Sequence, residues 1–251
     1  MIVKPRVVFV HGIRTSRTMW RSQLEHLAQR EIESVAVDLP GHGSRMAEPF
    51  TLAEAFATID TAVRDAAAHG PVLLVGHSMG GLLSVAYSGQ EDAPPLAGLI
   101  GASCTALPRG VALTTYRFLA QQFDALPDRG MWLTKRVLYA TLPEDTRADF
   151  EAGGYALDTQ GVALASLADL DLTTSLPRIR IPVWWINGQF DQLRMHERLF
   201  QQLAPHSELI VVPRTTHLVT AMRPVVFNAL LDLAVATLER DAADSSSRQT
   251  W

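Results

Sequence analysis

Short runs of β-branched and aliphatic residues alternate along this chain with longer stretches in which apolar residues recur at every third or fourth position. That rhythm admits few architectures. Strands separated by a helix-length segment do not close as tight hairpins, so they run parallel and are joined by crossovers. Arg6–Val10, Ser34–Asp38, Pro71–Val75, Leu96–Gly101, Pro182–Ile186 and Glu208–Val212 read as strands. The spacing predicts helices over Met19–Glu31, Thr51–His69, Met79–Gly89, Met195–Leu203 and Arg223–Glu239. A parallel sheet must be covered on both faces. The expected fold class is therefore α/β, a mostly parallel twisted sheet of about six to eight strands with helices on both faces.

The alternation stops between Thr105 and Pro177, where helical patterns are punctuated by Pro108, Pro127, Pro143 and Gly153-Gly154 and no β run occurs. Such an insertion between two strands reads as a helical lid. The expected organisation is a core of residues 1–104 and 178–240, a lid of residues 105–177, and a frayed, low-complexity tail of residues 241–251. The aromatic and apolar lid residues Tyr116, Phe118, Phe123, Met131, Trp132, Leu133 and Tyr139 either line a pocket over the sheet edge or hold the lid to itself. Phe118, Met131, Trp132 and Tyr139 are the candidates for contact with a substrate.

Within the third strand-to-helix junction lies Gly76-His77-Ser78-Met79-Gly80, preceded by Pro71-Val72-Leu73-Leu74-Val75 and followed by Leu82-Leu83-Ser84-Val85-Ala86-Tyr87. A serine at the apex of a strand–turn–helix is the context that a nucleophile elbow requires. Its backbone is strained, and the flanking glycines relieve crowding. A serine hydroxyl needs a base to take its proton and a third group to orient that base. Asp191, just past the strand ending at Ile186, and His217, just past the last strand, supply both and emerge at the same carboxyl edge of the sheet.

The order Ser78, Asp191, His217, together with His11-Gly12 and Asp38-Leu39-Pro40-Gly41-His42-Gly43-Ser44, resembles an α/β-hydrolase with an inserted lid over nearly the whole chain. The resemblance implies that Ser78 attacks a carbonyl, His217 shuttles the proton and Asp191 fixes the imidazole tautomer. It also implies that the backbone N–H groups of Met79 and Ile13 receive the developing oxyanion, with His11 holding the loop that presents Ile13. Relatives carry longer β-structure before the His-Gly motif, so this sheet is expected to be short by one or two strands. Asp38 matches the family's structural turn rather than its acid.

Arg14 reads two ways: a guanidinium gripping a substrate carboxylate, or one that is solvent-facing or paired internally. His77 occupies the variable position of the elbow, where a side chain packs beside the serine. No His, Cys or Asp cluster has metal-ligand spacing, so neither a metal nor a cofactor is implied.

A net charge of −4 over 251 residues gives no basic field, which argues against nucleic acid as a partner. No run approaches the roughly 20 apolar residues of a membrane span. The start lacks a secretory apolar region, and the lone Cys104 fits a reducing cytoplasm. The expected activity is hydrolysis of a small-molecule ester, lactone or thioester with an apolar body. Acyl transfer, carbon–carbon bond hydrolysis and a slow-turnover ligand sensor of the same fold are the alternatives, and the oligomeric state is left open.

Overall fold

The computed structural model describes residues 4–248. Its strands are β1 (Arg6–Val10), β2 (Ser34–Val37), β3 (Val72–His77), β4 (Gly98–Ala102), β5 (Val183–Gly188) and β6 (Ser207–Val212). They form a six-stranded sheet in the order β2-β1-β3-β4-β5-β6, parallel at every pairing. The helices are α1 (Arg21–Gln29), α2 (Leu52–Ala67), α3 (Met79–Ser88), α4 (Gly110–Asp124), α5 (Met131–Thr141), α6 (Glu144–Ala152), α7 (Gln160–Ser166), α8 (Leu172–Ser175), α9 (Glu197–Leu203), α10 (Val219–Met222) and α11 (Pro224–Arg248).

Side chains alternate across a strand, so each strand feeds two cores. Val8, Val10, Leu74, Leu99 and Trp185 face Ile59 and Val63 of α2, Leu83 and Tyr87 of α3 and Phe200 of α9. Val7, Phe9, Leu73, Val75 and Ile100 face the opposite side, against Leu27 of α1 and Phe227, Leu231 and Val235 of α11. Each such fully buried side chain contributes about 1.5–3 kcal/mol relative to leaving it exposed. Both layers, and no single contact, therefore hold the sheet.

The chain steps from β1 outward to β2 and then returns to the other side of β1 as β3. Outgoing loops part at such a reversal and leave a crevice beyond the carboxyl ends of the strands, here those of β1 and β3. The crevice fixes where a site is built.

Helices α4–α8 fill the interval between β4 and β5. Asp128, Arg129 and Gly130 have φ of 51°, 55° and 70°, a left-handed turn that reverses α4 into α5. Among the contacts that tie the inserted helices to the core, Thr18 Oγ1 donates to the Asp149 carbonyl at 2.5 Å, and Thr159 Oγ1 donates to the Gly41 carbonyl at 3.1 Å.

Elements differ from expectation mainly at their ends. Arg17–Trp20 forms a tighter 3₁₀ turn ahead of α1, because the Ser16 hydroxyl accepts the Thr18 N–H and starts the turn early. β3 and β5 each run two residues further, since their pairing with β4 and β6 continues through His77 and Gly188. α11 extends through Arg248, across the first part of the segment expected as a tail, where Ala242 and Ala243 favour helix. Tyr116 lies outside the residues whose side chains are described. Among the described residues no helix is long and apolar enough to cross a membrane.

Candidate active site

β3 ends at His77, and Ser78 turns the chain into α3 with φ 53° and ψ −118°. L-residues avoid this region, so the turn persists only because its surroundings dictate it. The Ser78 N–H donates to the Ala102 carbonyl at 2.9 Å, continuing the β3–β4 ladder by one bond. An added Cβ at Gly80 would run into the carbonyl oxygens of Val10 and His11, and one at Gly76 into the Gly80 carbonyl and the Ser84 hydroxyl. The glycines of the motif therefore let α3 start against the end of β1.

The loops after β5 and β6 meet beside this turn. The Phe190 N–H donates to the Thr215 carbonyl at 2.9 Å, and the Arg214 N–H donates to Gln189 Oε1 at 3.0 Å. These bonds bring Asp191 and His217 together. His217 Nδ1 lies 3.0 Å from Asp191 Oδ1, and His217 Nε2 lies 2.9 Å from Ser78 Oγ. Burial pushes the Asp191 carboxyl up, but the hydrogen bond and charge of His217 and the Leu193 N–H, at 2.8 Å, outweigh it and hold the group below its ordinary range. An ionised Asp191 accepts from Nδ1–H, which leaves the lone pair of Nε2 aimed at the Ser78 hydroxyl.

His11 fastens the loop after β1. Its Nδ1 donates to the Gly12 carbonyl at 2.8 Å while its Nε2 accepts the Leu39 N–H at 3.0 Å, so the ring bridges the ends of β1 and β2 as a neutral imidazole. Burial foremost, with His42 nearby, pushes its pKa down to about 3. Asp38 accepts the Arg17 N–H at 2.8 Å and both the N–H and the hydroxyl of Ser44. It is fully used as a loop brace.

Ser78, Ile13 and Met79 share one cavity with Leu82, Leu107, Leu164 and Met195, and among the described lining residues Ser78 alone carries a side-chain hydroxyl. Met79 opens α3, where a backbone N–H has no intrahelical acceptor. Among the described residues, neither its N–H nor that of Ile13 donates to another group. Ile13 and Met79 thus each bring a backbone N–H to the apolar cavity that Ser78 also lines.

The structure does not bring Phe118, Trp132 and Tyr139 to this cavity. All three are exposed, and Tyr139 lies against the Arg147 guanidinium at 3.7 Å. On a short helix, residue type does not reveal which face meets the core. Met131 approaches Arg14 instead, its sulfur 4.0 Å from Nη2. Arg14 itself, at φ 61°, turns toward the inserted helices, 3.8 Å from Asp124 Oδ1 and 3.5 Å from the Arg129 carbonyl. Of its two readings, this geometry matches internal pairing. The lining residues missed from sequence come from the loop after β4 and from α7. Met195 and Leu193 had a signal in their closeness to Asp191, and Leu82 in lying one helical turn past the elbow.

Burial pushes the Cys104 thiol up, which leaves it inert as a nucleophile. Among the described residues no group of three or more His, Cys, Asp or Glu side chains is arranged to hold a metal ion.

Known proteins agree with this architecture. Lipase LipV of Mycobacterium tuberculosis is 38% identical over 81 residues, a stretch that covers 32% of this chain and only 30% of that protein. Among solved structures, a malate-bound thermophilic esterase from Thermogutta terrifontis superposes with a TM-score of 0.73 at 23% identity, covering 93% of this chain and 90% of its own. The enol-lactonase from Burkholderia xenovorans LB400 gives a TM-score of 0.70 at 18% identity, covering 93% and 92%. At these identities the superpositions speak to the fold. A model of the alpha/beta hydrolase family matches residues 7–230, from β1 past β6 and through the elbow, Asp191 and His217 alike, and the chain belongs to that family.

Proposed function

We propose that this alpha/beta hydrolase opens a carboxylic ester, lactone or thioester with an apolar body through an acyl-enzyme on Ser78. The observation that carries the reading is the single imidazole of His217 within hydrogen-bond distance of both Ser78 Oγ, at 2.9 Å, and Asp191 Oδ1, at 3.0 Å, with Ser78 lining an apolar cavity. Ser78 Oγ attacks the carbonyl carbon as its proton passes to His217 Nε2, and the carbonyl π electrons move onto oxygen. The N–H groups of Met79 and Ile13 receive that oxyanion, a contribution of about 2.7–4 kcal/mol for one donor in comparable sites. Collapse of the intermediate breaks the bond to the leaving oxygen or sulfur, which takes the proton from His217. Water then repeats the sequence, its proton passing through His217 back to Ser78 Oγ as the acid departs.

Asp191 keeps the imidazole in the required tautomer throughout. The chemistry uses only side chains, backbone donors and water, with no cofactor. Residues 105–177 act as a lid in this reading, which is supported by Leu107, Leu164 and Leu167 of that segment lining the cavity. The apolar lining supports an apolar acyl or alcohol portion in the substrate.

Ser78→Ala tests the proposal. It should abolish turnover of a short-chain chromogenic ester while leaving the thermal melt unchanged, and a serine-directed phosphonate should label wild-type Ser78 alone. Retained turnover in the variant removes the nucleophile assignment.

A further inference from the structure

The elbow residue His77 is fully enclosed, and its ring lies 5.1 Å from that of His217, centroid to centroid. Its Nε2 is 2.9 Å from the backbone carbonyl oxygen of His217. A carbonyl only accepts, so Nε2 carries a proton. We propose that His77 is a positioning residue, whose Nε2–H holds the backbone of His217 and so sets the reach of the His217 imidazole to Ser78.

Three observations support this. Burial first, and the neighbouring His217 second, push the pKa of His77 down to about 4, so the ring is neutral near pH 7 and has one proton to give. That proton is spent on His217, while Nδ1 has no partner among the described residues. Nδ1 instead faces Gly12, where an added Cβ would stand 2.8 Å away. One ring thus touches the oxyanion-side loop, the elbow and the loop of His217.

The other fasteners of that last loop lie on either side of His217: Arg214 through Gln189, Thr215 through Phe190 and Val212, Thr216 through the Met222 sulfur, and the Leu218 carbonyl, which accepts the Ala221 and Met222 N–H groups. Among the described residues no other hydrogen bond reaches the backbone of His217 itself. Without His77, the His217 backbone between these anchors loses its own hydrogen bond.

The inference rests on the acyl-transfer reading above, and its test separates the two. His77→Phe keeps ring bulk but removes the donor, whereas His77→Gln offers an amide N–H at nearly the reach of Nε2. In His77→Phe, kcat for the chromogenic ester and the rate of phosphonate labelling at Ser78 should both fall about 10²-fold, the usual effect of an ångström-scale misplacement. KM should stay within about threefold, because substrate binding is untouched. The downfield proton resonance of His217 Nδ1–H, bonded to Asp191, should broaden or vanish in His77→Phe and return in His77→Gln along with most of the rate.

A folded His77→Phe variant with wild-type kcat and labelling rate, or a His77→Gln variant no better than His77→Phe, overturns the proposal. If His77→Phe does not fold, His77→Asn, whose shorter amide falls short of the His217 carbonyl, replaces it in the same contrast with His77→Gln. Should wild-type protein turn over no ester and resist labelling, the functional reading fails, and the downfield resonance still decides the role of His77.

Discussion

Replacing Gly80 by alanine sets two effects against each other. Gly80 lies in the first turn of α3, where helix propensity favours alanine by about 1 kcal/mol. Sterics oppose it: the new Cβ would stand 2.5 Å from the Val10 carbonyl oxygen and closer still to that of His11, whereas ordinary contact begins at 3.4 Å. Neither oxygen can rotate aside, since both belong to backbone at the end of β1. The start of α3 must retreat by nearly an ångström, and overpacking of that kind costs about 1–3 kcal/mol. Sterics prevail with a net loss of up to about 2 kcal/mol, which lowers Tm by up to about 8 °C in a domain of this size.

The same retreat carries Ser78 away from His217 and the Met79 N–H away from Ile13, so kcat should drop about 10²-fold. Gly161→Ala in α7 is the control, because nothing lies within 4 Å of its added Cβ and propensity acts alone there. Its Tm should rise slightly. Thermal melts and steady-state ester turnover read both variants side by side. A Gly80→Ala protein that melts at or above wild type with unchanged kcat would refute the packing argument for the elbow.

Two further outcomes follow from geometry already described. Unfolded, His11 and His77 take up protons as pH falls through about 6.5, but folded they resist to about 3 and about 4. The unfolded chain therefore binds more protons in that window, and stability falls with acidification by about 1.4 kcal/mol per pH unit for each ring. Melts at constant ionic strength should show Tm declining steadily from neutral pH to about pH 4.5, and a flat profile would contradict the neutral-ring assignment. Leu164→Ala, at a nearly buried lining position, should lower stability by about 2–5 kcal/mol and move the preferred acyl chain to greater length. An unchanged chain-length profile in the folded variant would remove Leu164 from the substrate's path.

Much of the architecture was legible because period and punctuation are local. Val7 to Val10 alternate between the two cores as their spacing requires, and the Gly76–Gly80 motif announced a turn whose glycines are needed for backbone contact. The sequential order of Ser78, Asp191 and His217 was readable for the same reason, since each follows a strand. Orientation was not. Phe118, Trp132 and Tyr139 have the composition of pocket residues but stand outward, while the less conspicuous Leu107 and Leu164 face Ser78. Arg14 found its carboxylate on the inserted helices, a contact across 110 residues that no local pattern encodes. His77 left no trace either, because the variable place in an elbow accepts many residues and its partner is a backbone atom 140 positions away.

A six-stranded sheet that does not close leaves two rims, and β2 is one of them. Its outer row of amides and carbonyls is a template on which a foreign strand would readily align. Brevity and charge guard it: β2 has only four residues, and Lys4, Arg6, Glu31 and Glu33 crowd its entry in paired cations and anions. An intruding chain would have to displace those pairs to gain a handful of hydrogen bonds around the half-exposed Val35. The short, charged rim at β2 thus makes strand-on-strand addition costly there, far from the chemistry at the centre of the sheet.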